Sequence, residues 1–153
     1  MERHGGNTIR RQHLLLKSMR YFLDTSVILY AAGAGHEYKK SCVAIIEKIA
    51  RDELSVCVST EVLQELVHRY IRLSKKKEGL KMARDISELV QVLPVDNVAF
   101  LRALTILEQC EVDTRDALHA AVALHFGIDH IISADRHFDL IKEVKRIDPT
   151  TLG

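Results

Sequence analysis

The chain has 153 residues, 47% hydrophobic and 28% charged, with a formal net charge of +1. That balance suits one globular domain with a sizeable core, excludes polyanion binding through net charge alone, and leaves no apolar run near the roughly 18 residues of a membrane span. Cys42, Cys57 and Cys110 lie far apart without a C-x-x-C pair, which argues against a zinc or disulfide framework and predicts buried thiols in a reducing compartment, with the cytoplasm as the expected location.

Residues 1–18 have no clear period and set Arg3, Arg10, Arg11 and Lys17 against Glu2 alone. They read as a basic extension, either a mobile arm or the product of a start codon placed too early, ahead of a domain over 19–153. Tyr21 to Leu23 is a short strand that stops on Asp24. Tyr38 to Ala50 predicts a helix, with Val43, Ile46 and Ile49 at helical spacing. "LSVCVS" at 54–59 is β-branched and reads as a buried strand. The next helix, over 59–74, has an apolar stripe through Val62, Leu63, Leu66, Val67, Tyr70 and Ile71, with Ser59 or Thr60 as its cap. Another is expected from Leu80 to Val90. "VLPV" at 92–95 is a strand that Pro94 confines to an end or an edge. Val98 to Leu107 and Thr114 to His125 are helical, and "HIIS" at 130–133 and "VKRI" at 144–147 are the last strands. Helices alternating with short apolar strands predict an α/β fold, a mostly parallel sheet between two helical layers.

Sites in such folds lie beyond the carboxyl ends of the strands. Asp24 follows the first strand and Asp135 the fourth, so both are candidates. Each has a plainer explanation: Asp24 as a helix cap, Asp135 as a turn former. Glu65 sits at the edge of its helix's apolar stripe, placed for a site or for an i,i+4 pair with Arg69. Asp116 opens a helix rich in small residues, where it either reaches the strand ends or serves as the first-turn acid of a capping box with Asp113. Asp113 and Asp139 are peripheral candidates.

Order and context go further. "FLDTSVIL", then "VLQEL" on a helix, then "DALHAAVA", then "SADRHF" resembles the PIN-domain nucleases over about residues 19–149. By that resemblance the catalytic acids are Asp24, Glu65, Asp116 and Asp135, with Ser133 where the family often has Thr. It implies a three-layer α/β/α sandwich around a five-stranded sheet, Mg2+ or Mn2+ at the acids, and hydrolysis of RNA. The compact length is similar to VapC-type toxins of toxin–antitoxin pairs, which implies an antitoxin protein as partner, and a homodimer.

Clustered carboxylates repel one another, and a hard divalent ion relieves that repulsion. Asp24, Asp116 and Asp135 are the expected direct ligands, with Glu65 either ligating or acting through water. Thr25 and Ser26 would hold the scissile phosphate or cap the following helix, and Ser133 joins them as a substrate-binding candidate. Arg115 and Arg136, beside two of the acids, are expected to contact phosphate. The run Arg69, Arg72 and Lys75 to Lys77 reads first as a solvated face, and His119, His125 and His137 rank low as acid–base groups. Two rival functions remain: an RNA-processing nuclease without an antitoxin, and an inactive RNA-binding or scaffold module. A P-loop is absent, and Ser26 stands where a phosphatase of the two-aspartate type needs its second acid.

Overall fold

The structure, a computed structural model, describes residues 8–11 and 19–153. The extension expected over 1–18 therefore lies outside the described residues, except for an exposed helical turn at 8–11.

From residue 20 the chain alternates as the apolar pattern requires: β1 (Arg20–Leu23), α1 (Thr25–Ala32), α2 (Lys39–Ala50), β2 (Ser55–Ser59), α3 (Thr60–Arg72), α4 (Lys76–Leu89), β3 (Gln91–Leu93), α5 (Asn97–Gln109), α6 (Thr114–His125), β4 (His130–Ile132) and β5 (Lys145–Ile147). The five strands form one sheet in the order β3-β2-β1-β4-β5, and every neighbouring pair is parallel. Phe22 sits in register with Cys57 on one side and Ile131 on the other. Chain order reverses between β1 and β4, which opens a crevice at their carboxyl ends. There the Asp24 amide donates to the Ile132 carbonyl at 3.0 Å.

Phe22, Leu23, Val58, Ile131 and Ile132 are buried at the centre of the sheet. Each such side chain contributes about 1.5–3 kcal/mol relative to its exposed state. On α6, Ala117, Ala120, Ala121 and Ala123 are also fully buried, so this helix lies close against its neighbours. Its first turn is thereby held near the strand ends.

Local signals explain most boundaries. Ser59 rather than Thr60 caps α3, accepting from the Val62 amide at 3.2 Å. Strand β3 stops at Leu93, just before the proline, and it is an edge strand as Pro94 demands. Two elements depart from expectation. Helix α1 follows Asp24 without a clear apolar period, because its buried positions Thr25, Val27 and Ile28 make only a weak stripe. Helix α4 begins at Lys76, four residues before Leu80, since its charged first turn is exposed and has no apolar period. Gly79 in that turn meets α3 closely: a Cβ there would lie 2.5 Å from the Tyr70 Cβ. Cys42 and Cys57 are buried free thiols and Cys110 is half-buried. Among the described residues no helix is long and apolar enough to cross a membrane.

Candidate active site

At the β1–β4 crevice a cavity of about 210 Å³ collects Asp24, Glu65, Asp113, Asp116 and Asp135, with Arg69 and Arg115 as its cationic walls. All four acids expected at the site thus meet in one place, and Asp113 joins them.

Asp24 stands at the N-cap position of α1 but makes no capping bond. Its Oδ2 accepts instead from the Ser26 hydroxyl at 2.7 Å and the Ser133 hydroxyl at 2.6 Å. Ser133, fully buried, also accepts from the Asp135 amide at 2.9 Å, which ties the end of β4 to the start of α1. Thr25 is buried, and its hydroxyl donates to Glu65 Oε2 at 2.9 Å. The hydroxyls of Thr25, Ser26 and Ser133 are therefore all spent on carboxylates, and of the three Ser26 also lines the cavity. In this arrangement they position the acids.

Glu65 makes no Arg69 pair of the kind its spacing suggested. It faces inward, 3.0 Å from His119 Nε2 and 3.4 Å from Arg115 Nη1. Burial pushes its carboxyl up, but the His119 hydrogen bond and charge, the Thr25 hydroxyl and Arg115 outweigh this and hold it below the ordinary value. His119, 1% exposed, shows the reciprocal effect. Burial opposes its charge, yet Glu65, Asp24 and Asp116 together raise its pKa. Its Nε2 is also 3.9 Å from Asp24 Oδ1. His119 is thus the buried basic group among these acids, and its Nδ1 has no hydrogen-bond partner. Sequence reasoning ranked it low; the available signal was its i,i+3 spacing from Asp116 on the alanine face of α6.

Asp116 is the acid under most stress. Burial, followed by the charges of Asp113, Asp135 and Asp24, lifts its pKa to about 8 against the opposing pull of His119. Asp113 Oδ1 caps α6 by accepting the Asp116 amide at 2.8 Å, the N-cap half of the expected capping box, and it lines the site at the same time. Buried Asp116 Oδ2 has no hydrogen-bond partner. An orphaned buried carboxylate oxygen in an acid cavity fits a hard cation.

One ligand atom each from Asp116, Asp135 and His137 lies within 4.8 Å of the others. His137 is thus added to the expected donors, with Asp135 Oδ1 2.9 Å from both its Nδ1 and its amide. Asp24 lines the same cavity outside this tight trio. Four other candidates stand differently in the structure. Asp139 does not line the cavity, and its Oδ1 accepts from Arg146 Nε at 3.0 Å. Arg115 is partly engaged by Glu65, and Arg136 is exposed and outside the cavity lining. Arg69, read first as part of a solvated run, lines the cavity.

Residues 21–144 match the family described as PIN domain. The chain is 32% identical over 128 residues to "VapC ribonuclease Mb1869c" of Mycobacterium bovis, which covers 82% of this chain and 97% of that protein. Among solved structures, Mycobacterium tuberculosis VapC20, described as a sarcin-ricin loop cleaving toxin, superposes with a TM-score of 0.65 at 23% identity, covering 78% of this chain and 92% of that one. VapBC-5 of the same species, a member of the VapBC family of toxin-antitoxin systems, superposes with a TM-score of 0.58 at 20% identity, covering 84% and 97%.

Proposed function

The chain belongs to the PIN-domain family, and from that premise we propose that it is a divalent-metal-dependent endoribonuclease, the toxin partner of an antitoxin protein, acting in the cytoplasm. The relative named as a VapC ribonuclease supports the reaction class, and the fold shared with VapBC-5 fits the toxin assignment. The observation that carries the metal dependence is buried Asp116 Oδ2, which has no partner in a cavity with four further acids.

Asp116, Asp135 and His137 would hold the ion, with Asp24 beside them, and the oxygen-rich donor set suits Mg2+ or Mn2+. A bound ion supplies Lewis-acid polarisation of the phosphodiester and neutralises charge on the leaving oxygen. The chain's own residues do the rest. Glu65, kept ionised by His119, Thr25 and Arg115, orients the attacking water. Arg69 and Arg115, at the cavity wall, attract the phosphates on either side of the scissile bond. Water attack in this sense leaves a 5′-phosphate and a 3′-hydroxyl.

Purified protein should cleave single-stranded RNA in Mg2+ or Mn2+ and stop on addition of EDTA. Activity that survives chelation points to a contaminant, while metal-independent RNA binding without cleavage would favour the inactive module. Arg69→Ala should weaken RNA binding and lower the slope of log K against log salt by about 0.7, the single-strand value per lost phosphate contact, while Arg136→Ala, outside the cavity lining, should change the slope little. An unchanged slope for Arg69→Ala would assign that side chain to solubility. Arg115→Ala should have a smaller effect on the slope, because part of its charge is already balanced by Glu65.

A further inference from the structure

A second groove, of about 350 Å³, adjoins the acid cavity and shares Ser26, Leu29 and Arg69 with it. Its remaining wall includes Tyr30, Tyr70 and Leu73. We infer that this groove is a nucleobase subsite, which takes one unpaired base of the RNA flanking the scissile phosphate. The inference rests on the ribonuclease reading above and adds where the substrate is gripped beyond its phosphates.

Three observations support it. The first is continuity. Arg69 belongs to both hollows, so a chain whose phosphate meets Arg69 at the acid site has its next sugar and base directed along the shared wall.

The second is the concentration of rings in a chain poor in them. Of four tyrosines, Tyr30 and Tyr70 line the groove and Tyr38 packs on Tyr30, with ring centroids 5.7 Å apart. Tyr30 is also stacked on His36, at 4.4 Å and an interplanar angle of 21°. His36 in turn lies parallel to Tyr38 at 5.8 Å and 17°. A ring locked by such neighbours presents its surface with little rotamer entropy left to lose on binding. The ladder is thus built to hold Tyr30 still in the wall of the groove.

The third is chemistry and size. Leu29, Tyr30, Tyr70 and Leu73 make a mostly apolar wall with one cation at its rim, and Leu73 is 57% exposed despite being apolar. Small-ligand sites begin near 300 Å³ and combine apolar walls with few polar groups. Base stacking on aromatic side chains is the sequence-tolerant way to hold single strands, and one such contact is worth roughly 1–3 kcal/mol.

The test is a series of single-stranded RNA oligonucleotides, each with one abasic residue, the position moved along the strand. Cleavage by wild type should fall about tenfold in kcat/KM when the abasic residue lies at one nucleotide next to the cut, and little elsewhere. Tyr30→Leu should lower cleavage of intact RNA about tenfold but leave cleavage of that abasic RNA unchanged. Tyr30→Phe should behave as wild type. Leu73→Ser, at an exposed position, should show a smaller loss with the same selectivity, and it serves if Tyr30→Leu fails to fold. Anisotropy of labelled RNA bound to Asp116→Asn should repeat the pattern without cleavage. Equal losses on intact and abasic RNA, or no sensitive abasic position, overturn the subsite while leaving the ribonuclease reading intact. Absence of both binding and cleavage for every RNA would instead remove the ribonuclease reading on which it rests.

Discussion

Asp116→Asn should lower RNA cleavage by about 10²–10³-fold and, in EDTA near pH 8, make the protein more stable than wild type. The two effects share one cause. Asp116 combines an unpartnered buried oxygen with three nearby acids, so its charge is tolerable only when a cation shares the cavity. Its folded pKa of about 8 stands above the ordinary 3.8. The native state therefore binds more protons than the unfolded chain between those values. The resulting stability is complete below the ordinary value and is lost as pH rises through about 8. In EDTA the melting temperature of wild type should fall across this upper range, and Asp116→Asn should flatten the fall. Relief of one like-charge contact is worth roughly 1 kcal/mol, or about 2–4 °C for a chain of this size. Added Mn2+ should reverse the ranking, since an ion at a hundred times its Kd stabilises the native protein by about 2.7 kcal/mol. Asp24→Asn should do the opposite in EDTA and cost about 1–3 kcal/mol. Its carboxylate is satisfied by two hydroxyls and faces His119, so its charge is useful even without metal. Melting curves of the three proteins from pH 6 to 9, with EDTA and with Mn2+, decide the matter. An Asp116→Asn protein that is less stable in EDTA at every pH would make Asp116 a helix first-turn acid and remove it from the metal site.

His119→Ala should be the most destabilising single change at the centre, by about 3–5 kcal/mol, because it removes the nearer partner of Glu65 and leaves only exposed Arg115, at 3.4 Å, to offset its charge. Adding Glu65→Gln should recover at least about 1 kcal/mol of this loss, a coupling that urea unfolding of the double-mutant cycle would measure. The signs fix the pH window. The lowered pKa of Glu65 gives stability that is present above its ordinary 4.5 and lost as pH falls. The raised pKa of His119 gives stability that is present below its ordinary 6.5 and lost as pH rises through the folded value. The cost of His119→Ala should thus be largest between the ordinary values of 4.5 and 6.5 and fall as pH rises through the folded value of His119. A cost that does not change with pH would mean that the imidazole only fills space beside Phe22, its ring neighbour at 5.8 Å.

Much of this protein is legible from local pattern. Alternating short apolar runs and helical stripes give the strand–helix order, the edge position of β3 follows from Pro94, and the close approach of α6 follows from its alanines. Four of the five acids in the cavity are likewise readable as candidates, because they follow strand ends or sit at the margin of buried helical faces, and the family resemblance joins them into one site. These features depend on periodicity and backbone chemistry, which act over a few residues. What each polar group does with its neighbours depends on distances between residues far apart in the chain. Only the folded structure turns His119 toward Glu65, 54 positions earlier, and spends Ser133 on Asp24, 109 positions away. It alone divides the acids into satisfied Asp24, ion-paired Glu65 and strained Asp116, since desolvation and Coulomb energy sum over the whole surrounding shell. It also brings Tyr30 of α1 and Tyr70 of α3 to one groove beside the acid cavity, a juxtaposition that neither helix encodes by itself.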